Sequence, residues 1–438
     1  MADQPMLSLR ADRNLAYHQG GSFRYLACSL KAPEVQKLAG TAEKKNLNLG
    51  LVIDASGSMS GSRLSAAVET AIVLTGLLGP GDRLSLISFA DDVQIHLRSR
   101  QMDQQGRLEA EMILRGIRTR GRTDLAGGWF EGAREVADGI LDGSPDLNHV
   151  VLLSDGKANC GILDPEELAE HASNLRARGV STTAIGIGDD YEMAQLRALA
   201  EAGGGRLHDA QHPAEIAGVV LGELTDLRQT LLQDVRVVLS GPDNTHVDLL
   251  SPYRLEVQGS NIVAILGSMA EGKDYTLIWR ARLPDGPAGM EIPIRARCHW
   301  KDPKTGKFEQ SAEVEEIFIL SDRETNDTQS RNEEVALSVA VHWHGWLMRQ
   351  AMEINRHGNY EVASELVREQ LHHFQRYCDG LEGTEKLITE LQQLQHRVGR
   401  RMRERSRKEV TLQSFKGARR ERDYRGRSES DYGDFLSQ

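Results

Sequence analysis

The sequence predicts an α/β fold in which a doubly wound, mainly parallel sheet is inserted in an antiparallel β-sandwich and followed by a C-terminal helical region. Three patterns support this prediction. Compact apolar runs alternate with segments of helical apolar spacing over residues 46–231, as parallel strands alternate with crossover helices. Short strand-like segments separated by turn clusters follow over 232–320. A helical pattern returns over 332–407.

The N-terminal region, residues 1–45, contains two short strand-like segments at 7–9 and 23–30. A Gly20-Gly21 turn separates them. Because these strands have no partner of their own, we expect them to join the later sandwich. The α/β domain would then be an insertion between strands of that sandwich.

The α/β region, 46–231, begins with the apolar run 47–53, which is typical of a strand buried on both faces. Helical spacing over 64–78 stops before a Gly-Pro-Gly sequence, a strong helix terminator. The other predicted strands of this region lie at 83–89, 93–97, 149–153 and 180–187. Its other predicted helices lie at 107–117, 127–141, 165–178, 191–202 and 213–231.

The C-terminal half changes character twice. Strand-like segments of period two over 232–320 predict the sandwich. Within the helical region 332–407, a first amphipathic helix precedes two further helices at 360–378 and 385–403. Residues 408–438 are rich in charged and small residues and lack the apolar surface of a core, so we expect a disordered tail.

Composition disfavours several classes of partner. A length of 438 residues predicts two or three domains. Net charge of -11 and a pI of about 5.7 disfavour nucleic acid, because phosphate neutralisation needs a basic face. We interpret the basic stretch 397–427 as a solvated helix end, with RNA, anionic lipid or an acidic protein as alternative ligands. Without a signal core or a long apolar run, we expect no membrane span and a cytoplasmic location.

A set of oxygen donors follows the ends of predicted central strands. Asp54, Ser56 and Ser58 come directly after the first strand of the α/β region. Thr123 lies in a loop before a helix, and Asp155 follows another central strand. Ligands of open α/β sheets bind beyond the carboxyl ends of the strands, so we expect the five side chains to share one site.

The chemistry of these donors favours a hard divalent cation. Two carboxylates and three hydroxyls suit Mg²⁺, with Ca²⁺ or Mn²⁺ as alternatives, rather than a soft metal. Because hydroxyls are neutral, a bound ion keeps positive charge and an open position that an acidic side chain of a partner protein can fill. The alternative interpretation of Asp54, Ser56 and Ser58 is a helix N-cap within an ordinary turn.

The DxSxS sequence, the later Thr and the later Asp resemble the metal-ion-dependent adhesion site of von Willebrand factor A domains, which have a Rossmann-like fold. The resemblance covers about residues 46–225 and includes the segments 51–54, 81–89 and 151–156. It implies a complete ion site. Its hydroxyl and carboxylate ligands would be Ser56, Ser58, Thr123, Asp54 and Asp155, the two acids acting directly or through water.

The flanks of this region resemble a bacterial subgroup more distantly. The lead-in at 24–33 and the β-rich segment after the A domain are similar to Ca-activated chloride channel homologues and to inter-α-trypsin-inhibitor heavy-chain-like proteins. The channel label implies no pore here, because no segment of the sequence is apolar enough to span a membrane.

These features predict a metal-dependent protein–protein interaction or scaffold protein that is not an enzyme. No nucleophile–base pair is evident in the sequence. One alternative is a non-ATPase adaptor subunit of a MoxR/AAA+ or chelatase-like machine, whose ATPase would be a separate chain because a P-loop is lacking. Another is a signalling or stress-response adaptor with a phosphorylatable tail. A tail acid, such as Asp431 or Asp434, or the C-terminal carboxylate is hypothesised to ligate the ion of a neighbouring copy and cause self-association.

Weaker signals receive structural interpretations. Four residues of the first C-terminal helix are interpreted as packing aromatics and surface histidines: His342, Trp343, His344 and Trp346. We interpret Asp91 and Asp92 as a polar turn rather than an extension of the ion site. The four cysteines lie far apart without zinc spacing, so we expect buried reduced thiols.

Overall fold

The computed structural model describes residues 5–33, 46–140, 147–155, 158–188, 193–210, 213–242, 245–303 and 305–419. These residues form three sheets and a C-terminal group of helices. The predicted fold class is confirmed, because a mainly parallel sheet with helices lies in sequence between strands of a sandwich whose pairs are antiparallel except for one parallel edge pair.

The chain begins with three strands, β1 (Met6–Ala11), β2 (Leu15–Tyr17) and β3 (Phe23–Lys31). Every second side chain of β1 is buried, as expected of a strand with one face on a core. The sequence pattern indicated only two strands in this region. β2 has three residues and a single buried side chain, so it carries almost no periodic signal.

The central domain is a six-stranded sheet covered by helices on both faces. Its strands are β4 (Leu47–Asp54), β5 (Arg83–Phe89), β6 (Val93–Gln101), β7 (Leu147–Ser154), β8 (Val180–Ile187) and β9 (Gly204–Ala210). Its helices are α1 (Ser62–Leu77), α2 (Gln104–Gly116), α3 (Leu125–Asp138), α4 (Pro165–Ala177), α5 (Met193–Ala202) and α6 (Pro213–Arg228).

The strand order β6-β5-β4-β7-β8-β9 places β4 and β7 side by side in the centre of this sheet. All neighbouring pairs are parallel except β5 and β6. Apolar clusters cover the two faces, one formed with α1, α2 and α6 and the other with α3, α4 and α5. Because β4 is buried along its whole length, its apolar run has no alternation, which is the expected pattern for such a strand.

The sandwich consists of two sheets that include all three N-terminal strands. Its later strands are β10 (Thr230–Ser240), β11 (His246–Leu249), β12 (Arg254–Gln258), β13 (Asn261–Ala270), β14 (Asp274–Arg282), β15 (Glu291–Lys301), β16 (Phe308–Gln310) and β17 (Val314–Ser321). One sheet has the order β1-β3-β14-β11, and the other has the order β12-β13-β10-β15-β17-β2, with β16 paired to β15. The N-terminal strands therefore pair within the same two sheets as the strands that follow the inserted domain.

Five helices follow the sandwich: α7 (Arg323–Thr328), α8 (Glu333–Arg356), α9 (Tyr360–Cys378), α10 (Glu385–Val398) and α11 (Glu404–Arg419). Helices α8 to α11 share one apolar cluster with side chains of the sandwich, among them Tyr25 and Ile278, whereas α7 has no buried side chain. None of the helices in the described part of the chain combines the length and apolar character that a membrane crossing requires.

The expected disordered tail differs from the structure over its first part. Helix α11 continues through residues 408–419, and Val410, Thr411 and Ser414 are buried. Gly345 of α8 allows this close packing, because a Cβ there would lie 3.0 Å from the Ser414 carbonyl oxygen. The remainder of the tail, with the hypothesised ligands Asp431 and Asp434, lies outside the described residues.

All four cysteines are free thiols in the structure. Cys28, Cys298 and Cys378 are buried, and Cys160 is partly exposed. Burial raises the pKa of the Cys298 thiol to about 12 and that of Cys378 to about 11, so both carry their protons at neutral pH.

Candidate metal site at the carboxyl edge of the central sheet

Two central strands carry the candidate site. Asp54 is the last residue of β4, Ser154 is the last residue of the neighbouring strand β7, and Asp155 follows it directly. β4 and β7 pair in parallel, with Ile53 opposite Leu153, so their carboxyl ends reach the same edge of the sheet. The side chains that follow these strands therefore meet, as the sequence order alone suggested.

Asp54 is a buried carboxylate held entirely by neutral donors. Its Oδ1 accepts a hydrogen bond of 2.8 Å from the Ser56 backbone N–H, and its Oδ2 accepts one of 2.6 Å from the Ser154 hydroxyl. Burial raises its pKa to about 6, and the nearby charge of Asp155 adds to this, although the hydrogen bonds from Ser154 and Ser56 lower it. Within the described residues no ion pair neutralises Asp54.

Hydroxyl groups connect Asp54 to the second carboxylate. The Ser56 and Ser58 hydroxyl oxygens lie 3.0 Å apart, and the Ser58 hydroxyl donates to Asp155 Oδ1 at 2.8 Å. Asp155 and Ser56 are buried, whereas Ser58 is exposed. The row of polar groups thus begins inside the domain at Asp54 and opens to solvent at Ser58.

Thr123 lies in the adjacent loop and is buried. The loop is fixed to the Asp54–Ser58 segment because Gly57 N–H donates to the Gly121 carbonyl at 3.2 Å. The Thr123 backbone also exchanges hydrogen bonds with Asn159, accepting from its N–H at 3.0 Å and donating to its Oδ1 at 3.1 Å. No hydrogen bond among the described residues joins the Thr123 hydroxyl to the other four donors.

A glycine is required in this loop. Gly121 has a φ of +45°, and a Cβ there would lie only 1.7 Å from Asp91 Oδ1. The neighbouring Asp92 accepts a hydrogen bond of 2.6 Å from Arg120, so its charge is engaged beside the loop. This pairing fits the polar turn that we inferred for Asp91 and Asp92.

Two residues of the site escaped sequence reasoning. Ser154 was seen only as part of the strand end, yet its hydroxyl bonds to Asp54. Arg63, in the first turn of α1, donates from Nη1 to Asp155 Oδ2 at 2.5 Å. A hydroxyl directly before the second acid was the available signal for Ser154. Nothing in the local pattern around Arg63 indicated its partner.

The donor set fits a hard divalent ion. Hydroxyl and carboxylate oxygens dominate this edge of the sheet, and these are the ligands that Mg²⁺, Mn²⁺ and Ca²⁺ prefer. In the part of the chain that the structure describes, no cluster of three or more His, Cys, Asp or Glu side chains is suited to a metal. An ion here would therefore depend on hydroxyl ligands as well as on Asp54 and Asp155.

Comparisons with known proteins agree with this architecture. Residues 48–220 match the family model of the von Willebrand factor type A domain. The protein sll0103 of Synechocystis sp. is 26% identical over 318 residues, which are 68% of this chain and 71% of that protein. Human inter-alpha-trypsin inhibitor heavy chain H1 is 24% identical over 57% of this chain, but the match spans only 27% of that protein.

A solved structure extends the likeness beyond the A domain. The von Willebrand factor type A protein from Catenulispora acidiphila has a TM-score of 0.67 at 18% identity. The match covers 89% of this chain and 90% of that chain. At this level of identity the likeness concerns the fold.

Proposed function

We propose that this chain, whose residues 48–220 form a von Willebrand factor type A domain, binds a carboxylate of a partner protein through a divalent cation. The observation that carries the proposal is the hydrogen-bonded row that joins Asp54, Ser56, Ser58 and Asp155 at one edge of the sheet. We assign these four side chains and Thr123 as the ion ligands, the hydroxyls directly and the acids directly or through water. Mg²⁺ is the ion that we favour.

The burial of Asp54 supports an ion rather than a simple cap. Helix capping requires only that the side chain accept a backbone N–H of the first turn, and it does not by itself account for complete burial. Asp54 instead lies wholly inside the domain, where an unneutralised charge is costly. A divalent cation beside it would supply the opposite charge that neutral donors such as the Ser154 hydroxyl do not.

The exposure of Ser58 supports an external ligand. Ser56 and Asp155 are buried, so a partner reaches the site from the side of Ser58. Because hydroxyl ligands leave the charge of the ion incompletely neutralised, an incoming carboxylate is the favoured ligand for the open position. The match to a heavy chain of an inhibitor agrees with a role in protein association.

The arrangement of serines supports binding rather than catalysis. The Ser56 and Ser58 hydroxyls are engaged with each other and with Asp155. A Ser–His pair does occur elsewhere, between Ser251 and His342 at 2.7 Å. Both residues are buried, and the Ser251 oxygen accepts the Ile278 N–H, so this pair serves as a packing contact between sandwich and helices.

The test of the ion site is a titration of the full chain with Mn²⁺, in which the free ion is measured by electron paramagnetic resonance. We expect one site of measurable affinity, abolished by Asp54→Ala and weakened about tenfold or more by Ser58→Ala. Ser60→Ala is the matched control, because Ser60 is an exposed serine of the same turn outside the row. Equal binding by Ser58→Ala and Ser60→Ala, with both variants folded by circular dichroism, would exclude the assigned ligands.

The test of the external ligand uses an array of immobilised peptides in which each Glu-containing sequence has a Gln-containing partner. We expect the chain in Mg²⁺ to be retained by a subset of Glu peptides and not by their Gln partners. EDTA should release the bound chain from the Glu peptides, and the Asp54→Ala variant should not be retained by them. Retention that is equal in EDTA, or equal on Glu and Gln peptides, would contradict capture of a carboxylate through an ion.

A further inference from the structure

Arg63 places a fixed positive charge directly on the candidate site. Its guanidinium donates to Asp155 Oδ2 at 2.5 Å, while the other oxygen of the same carboxylate accepts from Ser58. The Asp155 side chain is fully buried, and the Arg63 side chain is 31% exposed. Asp155 is therefore neutralised by a residue of the chain itself, whereas no basic side chain among the described residues pairs with Asp54.

The backbone after β8 leaves room for the guanidinium. Gly188 has a φ of +75°, and a Cβ there would lie 3.2 Å from Arg63 Nη2 and 3.3 Å from its Cζ. The guanidinium thus lies near a glycine at the same edge of the sheet. A side chain at Gly188 would crowd the guanidinium, so the glycine allows Arg63 to reach Asp155.

The charges of Asp54, Asp155 and Arg63 contribute to how strongly the site attracts an ion. Two carboxylates and one guanidinium sum to minus one, so a divalent ion brings the set to plus one. A carboxylate from outside restores neutrality. If Arg63 were neutral, the two internal carboxylates alone would balance the ion, and an external carboxylate would add excess negative charge. Arg63 therefore weakens the attraction of the chain for the ion, so that an external carboxylate contributes more of the charge that binds the ion.

We propose that Arg63 is a built-in cation that weakens ion binding by the isolated chain and makes it depend on an external carboxylate. This inference rests on the proposed function and adds the regulation of the same site. Ion and carboxylate then bind cooperatively, because each is held more tightly when the other is present, and the coupling is reciprocal. Arg63 acts here as a positioning and tuning residue through its charge.

The test measures Mn²⁺ affinity of the full chain for the wild type and for Arg63→Lys, Arg63→Gln and Arg63→Glu. Each is titrated with and without sodium acetate at constant ionic strength. We expect Arg63→Gln to bind Mn²⁺ about tenfold more tightly than the wild type without acetate, since a like charge is removed. Arg63→Glu should bind more tightly still, and Arg63→Lys, which keeps the charge, should resemble the wild type. Acetate should tighten binding more in the wild type and Arg63→Lys than in the neutral variant.

Arg368→Gln is the matched control. Arg368 is an exposed arginine of α9 that pairs with Glu365, and its loss changes net charge equally in another region. We expect it to leave Mn²⁺ affinity unchanged. Gln and Glu are both compatible with the first turn of a helix, and the Lys–Glu comparison alone still reports the effect of charge.

The outcomes separate the two proposals. Wild-type Mn²⁺ binding that is lost in Asp54→Ala but equal or weaker in Arg63→Gln, with all variants folded, overturns the role of Arg63 and leaves the ion site intact. Absence of Mn²⁺ binding in the wild type and in every Arg63 variant overturns both. Binding that appears only in Arg63→Gln and Arg63→Glu supports the inference in its strongest form.

Discussion

Replacement of Asp54 by asparagine should stabilise the protein and remove its ion binding at the same time. The amide has nearly the shape of the carboxylate. Its oxygen can still accept the Ser56 N–H, which lies 2.8 Å from Asp54 Oδ1. Its NH₂ group can donate to the Ser154 hydroxyl, now 2.6 Å from Oδ2, because a hydroxyl rotates to accept as easily as it donates. Asp54→Asn therefore removes the charge and keeps both hydrogen bonds.

The magnitude follows from the pKa of Asp54, which burial raises from 3.8 to about 6. The folded protein then holds this proton more tightly than the unfolded chain does. Stability consequently falls as the pH rises from about 4 to about 6, and the loss persists above that range. Two pKa units correspond to about 3 kcal/mol at pH 7.5, and to about half of that at pH 5. The neutral amide of Asp54→Asn escapes this loss.

The assay is urea unfolding of the full chain in EDTA, followed by circular dichroism at pH 7.5 and pH 5. Asp54→Asn should be more stable than the wild type by about 3 kcal/mol at pH 7.5, and the difference should shrink at pH 5. Asp91→Asn, in an exposed residue of the adjacent turn, is the control and should bring no comparable gain. Added Mg²⁺ should stabilise only proteins that retain Asp54.

One result would refute the reasoning. If Asp54→Asn is less stable than the wild type in EDTA at pH 7.5, and the deficit does not depend on pH, then the buried carboxylate is a favourable structural contact. The Ser154 and Ser56 hydrogen bonds would then outweigh the desolvation of the charge. Asp54 would in that case be explained by the fold, with no requirement for an ion.

Two further predictions concern the frame that holds the site. Burial lowers the pKa of His149 in β7 from 6.5 to about 4, so the unfolded chain binds this proton more tightly than the folded protein does. The stability that is present above pH 6.5 should therefore fall by about 3 kcal/mol between pH 6.5 and pH 4. His149→Gln should flatten this part of the curve of urea midpoint against pH. An unchanged profile would contradict it. Gly128→Ala should lower the free energy of unfolding by about 1–3 kcal/mol, because its Cβ would lie 2.4 Å from the Phe89 ring. Gly116→Ala is the control and should be neutral, because the space around Gly116 is open. Equal unfolding midpoints for the two variants would exclude this clash.

Local signals predicted the six helices and five of the six strands of the α/β domain, but not β9. The apolar runs that became β4 and β7 are continuous, because these strands are covered on both faces. Since both strands are parallel, the acids after them must reach the same edge of the sheet. The proximity of Asp54 and Asp155 could thus be inferred from chain order alone.

The sequence pattern did not predict which residues far apart in the chain pair with each other. Leu15 of β2 pairs with Ile319 of β17, so a three-residue strand gains its structure from residues some 300 positions away. The contact between Arg63 and Asp155 is of the same kind, since 92 positions separate the partners. Periodicity reports which face of an element is buried, but it carries no information on which side chain meets it.

The histidines of α8 show how tertiary partners change an interpretation. We expected surface histidines, but His342 and His344 are both buried. A polar residue can be buried when a partner satisfies it, and Ser251 of the sandwich supplies that partner for His342 at 2.7 Å. Glu390 of α10 lies 3.1 Å from His344 Nε2, within ion-pair distance but outside hydrogen-bond geometry. Both partners come from other elements, so the helical pattern of α8 could not indicate them.

The two acids of the site differ in a way that explains why an ion would be held conditionally. If Asp54 and Asp155 both carried a basic partner, the chain would attract no cation. If neither did, two buried carboxylates would hold a divalent ion whether or not a ligand was present. Of these two acids, Arg63 pairs with Asp155, which leaves Asp54 as the internal attraction for the ion. The remaining charge of the ion is then available to an external carboxylate, so an ion-dependent contact can form and dissociate with its partner.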